Sequence, residues 1–177
     1  MEERRENLSG SIEYFNLHWP RDGAYFKKGP KIISLRKCKR PTFAYTEEEC
    51  YVMLTFNVIK TDRLNLKYVT AILNSNAVYF WLRKKGKLQG DQLQIDTGPL
   101  QQIPIPKPDS KSERMLASYT DKMHRLNLEL HETTENSEKW KRLKTDIERA
   151  EKEIDTEVYK LYDLTLEEIN IIEESTK

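Results

Sequence analysis

Residues 66–106 decide the fold of this chain: LKYVTAILNSNAVYFWLRKKGKLQGDQLQIDTGPLQQIPIP. The first eight repeat apolar side chains every three or four positions, which predicts a short helix with one buried face. Asn74 is expected to end that helix. Ser75 is expected to cap a second helix over residues 77–85, because its hydroxyl can accept a hydrogen bond from the first turn. Gly86 is expected to end the second helix in the left-handed conformation.

Four cations lie where the second helix ends and a loop begins: Arg83, Lys84, Lys85 and Lys87. The carbonyl end of a helix carries partial negative charge and favours such cations. A phosphate group would favour them as well. The pattern alone leaves both explanations open.

Strand patterns fill most of the remaining first 108 residues. Residues 31–35 are rich in β-branched side chains and residues 42–45 alternate, so both predict strands. Residues 51–59 are mostly apolar and predict a central strand. Residues 91–95 alternate polar and apolar side chains and predict a half-buried strand. Two prolines in 100–106 predict an extended segment.

The last 69 residues have a different pattern. Apolar residues step by three and four positions over 116–130 and again over 140–158, with a polar turn at 131–138. This pattern predicts an antiparallel helical hairpin that resembles a coiled coil. Thr165 and Glu168 have the spacing of a capping box for a last short helix, expected to reach Ile172.

We therefore expect an α+β fold with three parts. Residues 1–11 are expected to be a linker that continues an upstream region. Residues 12–108 form a small mixed β-sheet domain with short helices, and residues 109–177 form the helical hairpin and the short C-terminal helix.

The net charge of +1 hides an asymmetry along the chain. Residues 1–108 hold 18 Lys and Arg against 11 Asp and Glu, whereas residues 109–177 hold 12 against 18. A basic half suits a polyanionic partner, although two ordinary solvated surfaces explain the same counts. There is no long apolar segment or signal pattern, and two cysteines make neither a disulfide framework nor a zinc site. We expect a cytoplasmic protein with no membrane association.

The search for catalytic motifs is negative. The sequence has no glycine-rich dinucleotide fingerprint, phosphate loop, HExxH or GxSxG motif. His124 and His131 share a helical phase but lack a third ligand for a metal. We therefore expect no catalytic, cofactor-binding or metal-binding residues in this chain.

The signal for nucleic-acid binding is stronger. Candidate phosphate contacts are Arg36, Lys37, Lys39, Arg40, Arg83, Lys84, Lys85 and Lys87. Candidate contacts to base edges are Arg21, Thr42, Gln89, Gln92 and Gln94. Each of these residues taken alone is more often explained by surface solubility. Two basic loops in one small domain, each followed by a polar strand, favour nucleic acid.

Several motifs carry a family resemblance: LHWPR (17–21), GPKII (29–33), RPTFAY (40–45), AILNS (71–75), YFWLRKKGK (79–87) and QQIPIP (101–106). Together they resemble the TaqI-like specificity domain. That domain is the C-terminal target-recognition part of adenine-N6 methyltransferases in type IIG, Eco57I-like and related restriction-modification proteins. The tail at 153–173 is similar to the ending of that family and of type I specificity subunits. The resemblance runs from about Ile12 to Glu173.

The resemblance implies a cytoplasmic protein that selects which DNA sequence is methylated or cut. Such proteins carry a catalytic part that binds S-adenosylmethionine, and in some cases Mg²⁺, with an Asn/Asp-Pro-Pro-Tyr/Phe motif. This sequence has no Asn-Pro or Asp-Pro pair. We expect a specificity domain or subunit that is not itself the catalyst. Its expected partners are double-stranded DNA and a methyltransferase or endonuclease part, onto which residues 109–177 dock.

Two other interpretations stay open at this point. The helical pair could be primary, in a protein-interaction module whose basic loops are only solvated surface. A nuclease would need a metal-binding carboxylate cluster, and the sequence patterns do not supply one. The oligomeric state and the DNA sequence recognised are not decided by the sequence.

Overall fold

A computed structural model of the protein describes residues 22–176, and within that range the fold is α+β, as predicted. Six strands form two antiparallel sheets, and six α-helices follow or separate them. The strands are β1 (Lys31–Leu35), β2 (Lys37–Cys38), β3 (Phe43–Thr46), β4 (Phe56–Ile59), β5 (Lys87–Gln89) and β6 (Gln92–Gln94). The helices are α1 (Leu66–Leu73), α2 (Asn76–Lys85), α3 (Thr97–Gln101), α4 (Ser110–Glu132), α5 (Glu138–Leu161) and α6 (Leu166–Ser175).

The first sheet has the order β3-β1-β4, so β1 is its central strand. Ile32 of β1 pairs with Tyr45 on one side and with Ile59 on the other. The prediction of a central strand over residues 51–59 is wrong in two respects. The strand begins only at Phe56, and it lies at the sheet edge. The apolar residues before it are not buried in a sheet, because residues 51–55 form a loop with Tyr51 largely exposed.

Helix α1 lies at the centre of the core, and all but one of its eight residues are buried. Asn74 ends the helix as predicted, and its side chain also joins the helix to the first sheet. The Asn74 amide accepts from the Phe43 backbone N–H at 2.9 Å and donates to the Phe43 carbonyl at 2.8 Å. One side chain therefore satisfies both backbone groups of Phe43 on the outer side of the edge strand β3.

Helix α2 begins as predicted, because the Ser75 hydroxyl accepts from the Val78 backbone N–H. The expected left-handed Gly86 is wrong: this residue is extended, with φ −78° and ψ 175°. Glycine is required there for steric reasons. A Cβ at residue 86 would lie 2.7 Å from the Leu82 carbonyl oxygen and 2.8 Å from Leu93 Cδ1.

The second sheet has the order β2-β6-β5, which confirms the polar strand predicted near residues 91–95. A two-residue turn joins β5 to β6, and in it Gly90 has φ 65°. Glycine adopts this left-handed conformation without steric cost, which suits a tight hairpin. Gly86 joins helix α2 to this sheet directly.

The segment predicted to be extended from residue 100 begins instead with a helix. Helix α3 covers Thr97–Gln101, and its Pro99 lies in the first turn, where a missing backbone N–H is tolerated. The chain is non-helical from residue 103 to 109. The carbonyls of Pro104 and Pro106 there accept hydrogen bonds from the hydroxyls of Tyr162 and Tyr68.

Helices α4 and α5 form the predicted hairpin. Ion pairs join Lys122 to Glu153 and Glu129 to Lys139, and this opposite progression along the two helices shows that they run antiparallel. The hairpin also packs on α1, where the Thr120 hydroxyl donates to the Lys67 carbonyl at 2.8 Å. The hydrophobic core is continuous across residue 108, and the division into domains at that residue stays a prediction.

Helix α6 begins with the predicted capping box. The Thr165 hydroxyl accepts from the Glu168 backbone N–H, and the Glu168 carboxylate accepts from the Thr165 backbone N–H. The helix continues to Ser175, three residues beyond the predicted end. No helix in residues 22–176 is long and apolar enough to cross a membrane.

Candidate nucleic-acid interface

One face of the second sheet is polar, and the strand register explains why. Lys37, Gln94 and Lys87 lie opposite one another across the three strands, and Gln92 lies opposite Gln89. Because successive side chains in a strand point to opposite faces, these five side chains share one face. The other face carries Cys38, Leu88 and Leu93. We call the surface of Lys37, Lys87, Gln89, Gln92 and Gln94 the polar face.

A chain of hydrogen bonds orders the polar face and ends at Asp96. Gln89 Nε2 donates to Gln94 Oε1 at 2.9 Å, and Gln94 Nε2 donates to Asp96 Oδ1 at 2.9 Å. Arg36 Nη2 lies 3.2 Å from the same oxygen, and Lys87 Nζ lies 3.7 Å from Asp96 Oδ2. The hydrogen bond from Gln94, then that from Arg36, lowers the pKa of Asp96. The carboxylate is therefore ionised at neutral pH.

Arg36 is held from several sides and acts as a structural residue. Its Nη1 donates to the Leu54 carbonyl at 3.4 Å, in addition to the contact of its Nη2 with Asp96. Its backbone N–H donates to the Thr55 carbonyl, and its carbonyl accepts from the Ile95 N–H. The guanidinium thus uses two of its five N–H donors within the fold, and Asp96 already compensates its charge.

The remaining lysines of this region are more available. Lys37 and Lys85 are exposed, and within residues 22–176 neither has an ion-pair partner. Lys39 pairs with Asp91 at 2.8 Å, but the two side chains are 76% and 68% exposed. An exposed pair of this kind contributes at most about 1 kcal/mol. Lys39 can therefore exchange its partner for a phosphate at small cost.

Arg40 and Arg83 belong to a separate cluster around Tyr79. Their guanidinium carbons lie 5.0 Å and 5.8 Å from the centre of the Tyr79 ring. Arg83 also donates to the Ser175 carbonyl at the end of α6, and Arg40 donates to Asn76 Oδ1 at 2.7 Å. Both arginines thus hold structural contacts.

Asp155 of helix α5 also belongs to this cluster. Its carboxylate accepts from the Asn76 backbone N–H at 2.7 Å and from Asn76 Nδ2 at 2.8 Å, at the start of helix α2. Burial raises the pKa of Asp155 to about 6, against the lowering effects of the Asn76 backbone hydrogen bond and of Arg40. The hairpin is therefore joined to α2, the helix that precedes the polar face.

The four cations at residues 83–87 have different environments, which bears on whether the helix dipole or phosphate explains them. Arg83 bonds a carbonyl of α6, so it serves packing between helices. Lys84 lies over the ring of Phe80 at 5.4 Å and is exposed, as is Lys85. Lys87 faces Asp96 on the polar face. The two lysines at the end of α2 remain candidates for phosphate contact.

One predicted base contact, Thr42, does not lie on the polar face. Thr42 is exposed, but it precedes β3 in the first sheet. Arg21 lies outside the described residues. His124 and His131 are both exposed, and no cluster of three His, Cys, Asp or Glu side chains within residues 22–176 could hold a metal ion.

Residues 5–105 match the model of the TaqI-like C-terminal specificity domain, which is more than half of the chain. The chain belongs to this family. Two relatives in Haemophilus influenzae are the Type II methyltransferases M.HincII and M.HindII, the second from strain Rd. Each is 26% identical over 153 residues, an alignment that covers 77% of this chain and 30% of the relative. The chain thus spans about a third of the length of these relatives.

The family match covers both sheets of the specificity domain and ends at residue 105, before helices α4–α6. The polar face and the end of α2 therefore lie inside the matched region. Two residues that hold these clusters together were not predicted from the sequence: Asp96, in the hydrogen-bond chain of the polar face, and Asn76, in the cluster around Tyr79. Asp96 could have been found, because it lies two residues after Gln94 and continues the same alternation. Asn76 and Asp155 are 79 residues apart, and no local pattern connects them.

Proposed function

We propose that this chain is the DNA target-recognition part of a restriction-modification system. The observation that carries the proposal is the polar face: amide side chains at its centre and lysines on both outer strands. Amides can read base edges in the major groove, and lysines can contact the phosphates beside it. The end of the β5–β6 hairpin at Gln89 and Gln92 extends beyond β2 as a two-stranded ribbon, and the major groove is wide enough to admit one.

In this proposal the cations have two kinds of role. Lys37, Lys39, Lys84, Lys85 and Lys87 contact phosphates, because their side chains are exposed. Lys39 and Lys87 would exchange Asp91 and Asp96 for phosphate. Arg36, Arg40 and Arg83 mainly position the elements that carry these lysines. Arg21 and Thr42 remain candidates for base contacts on sequence grounds alone.

Catalysis is assigned to a part outside this chain. The relatives are more than three times as long as the region aligned to them, which supports a separate methyltransferase or endonuclease domain or subunit. S-adenosylmethionine and any Mg²⁺ would bind there. The methylated position would be adenine N6, and the complete enzyme would be of type IIG. Residues 109–177 would dock onto that part, residues 12–108 would grip DNA, and the assembly would act in the cytoplasm. These finer assignments rest on the family resemblance.

A second candidate is a protein-interaction module, and one observation favours it. An apolar groove of about 360 Å³ lies between α2, residues 103–104 and α6, lined by Phe80, Trp81, Pro104, Leu164 and Ile171 among others. Ile171, which lines this groove, is 50% exposed. A partner helix would fit such a groove.

Sedimentation velocity with and without a random-sequence 30-base-pair duplex separates the two candidates. DNA recognition predicts that the protein co-sediments with the duplex at low salt and dissociates from it as salt is raised. Sequence selection from a random library then yields a defined site. Assembly that depends on protein concentration, with no shift of the DNA, would favour the interaction module and contradict the proposal.

A further inference from the structure

On the polar face, the charge of Asp96 fixes which end of the Gln94 amide is turned towards it. A carboxylate only accepts hydrogen bonds, so Gln94 must turn its NH₂ group towards Asp96. Its carbonyl oxygen then points to Gln89, and Gln89 must in turn donate its NH₂ group to that oxygen. The orientation of both amides thus follows from the ionised Asp96.

Asp96 is itself held in place by the two cations beside it. Arg36 Nη2 lies 3.2 Å from one carboxylate oxygen and Lys87 Nζ lies 3.7 Å from the other. Arg36 is fixed in turn by the Leu54 carbonyl and by backbone bonds on both sides. The start of the hydrogen-bond chain is therefore anchored to the junction of the two sheets.

The other end of the chain is presented to solvent. Gln89 is exposed and is the last residue of β5 before the Gly90 turn, so it lies at the tip of the ribbon. After its bond to Gln94 it keeps one amide hydrogen and its carbonyl oxygen, and neither has a partner among residues 22–176. It offers one donor and one acceptor on the same amide group.

That pattern complements one base edge in the major groove. Adenine presents the N7 acceptor beside the N6 donor, guanine presents two acceptors, cytosine a donor, and thymine an acceptor with a methyl group. We propose that Gln89 reads an adenine in the recognised duplex, and that Gln94 and Asp96 are positioning residues that fix the direction of its amide. The inference rests on the proposed function, since it names the base that the polar face reads.

The test uses the duplex obtained by sequence selection with the wild-type chain. For each position of the site, four duplexes are made that carry A, C, G or T there. Binding is measured by fluorescence anisotropy in competition. For the wild type, one position should prefer adenine by about 5- to 150-fold, which is the range of a good bidentate contact. Gln89→Ala should bring the four bases at that position within about 2-fold of one another, while the salt dependence of binding stays unchanged.

The positioning residues are tested by Gln94→Met and Asp96→Asn. Both should reduce the adenine preference at the same position by at least 5-fold, measured as the ratio of the affinities for the four bases at that position. A merely structural role would lower binding to all sequences alike and leave the base preference intact. Gln102→Ala, an exposed glutamine outside the sheet, is the matched control and should change nothing.

Failure of this inference differs from failure of the proposed function. If the wild type binds no duplex, the proposed function fails and the inference with it. If the wild type selects a site but Gln89→Ala keeps every base preference, or alters a position that prefers guanine, cytosine or thymine, the inference is wrong while DNA recognition stands.

Discussion

Replacement of Gly86 by alanine tests how helix α2 is joined to the polar face. The new Cβ would lie 2.7 Å from the Leu82 carbonyl oxygen, 2.8 Å from Leu93 Cδ1 and 3.2 Å from the Gln94 carbonyl oxygen. Two of these atoms are backbone, and Leu93 is only 1% exposed, so none can move aside freely. Because φ of −78° is allowed for alanine, the cost is steric. Overpacking of this kind destabilises by about 1–3 kcal/mol.

Urea unfolding followed by circular dichroism measures this effect, and two further variants identify its cause. Gly98→Ala is the control: its Cβ meets nothing within 4 Å in helix α3, so we expect a gain of about 0.5–1 kcal/mol. Gly86→Asn distinguishes steric crowding from a left-handed requirement, because asparagine tolerates the left-handed conformation. The steric account predicts that asparagine is at least as destabilising as alanine. Unchanged stability of Gly86→Ala, or a milder effect of asparagine, would refute it.

Two further substitutions probe the contacts that hold the elements together. Burial raises the pKa of Asp155 from 3.8 to about 6. Between these pH values the folded state holds a proton that the unfolded state has lost. The free energy of unfolding should therefore fall by up to about 3 kcal/mol as pH rises from 4 to 7. In urea titrations at pH 4.5 and 7.5, the free energy of unfolding of Asp155→Asn should not show this decrease. The same pH dependence in Asp155→Asn and the wild type would contradict the raised pKa of Asp155. Asn74→Ala removes both bonds to Phe43 and should cost about 1–3 kcal/mol in the same assay. Asn127→Ala is the control, because among residues 22–176 the Asn127 amide bonds only the Met123 carbonyl of its own helix. It should change stability by less than about 0.5 kcal/mol, and an equal effect of the two variants would be evidence against the link to β3.

The features predicted from the sequence are those that local chemistry determines. The caps at Asn74 and Ser75 depend on side chains within a few residues of the helix ends. The capping box of Thr165 and the antiparallel hairpin follow from spacings that a single helix or a short turn fixes. In each case the deciding contact joins residues that are close in the sequence or repeat a regular period.

The features missed depend on contacts between distant segments. Residues 51–59 look like a central strand, but pairing on both sides of β1 makes β4 an edge. Gly86 is required because Leu93, from the following hairpin, lies against it. The chemistry of the polar face depends on Asp96, which Arg36 reaches across 60 residues of chain. The residue types in both basic loops suggested DNA, but only the fold separates the structural arginines from the available lysines.

The central claim is tested most directly by the salt dependence of DNA binding in Lys37→Glu/Lys85→Glu. These two lysines are exposed and have no ion pair between residues 22 and 176, so their reversal breaks no contact of the fold. Each phosphate that a protein neutralises contributes about 0.9 to the slope of log K against log salt concentration. We predict that the slope becomes shallower by nearly two units and that affinity falls for all sequences alike. Lys111→Glu/Lys144→Glu, an equal charge change on the hairpin, should leave the slope as it is. An unchanged slope in Lys37→Glu/Lys85→Glu would contradict DNA recognition through the polar face and the end of α2.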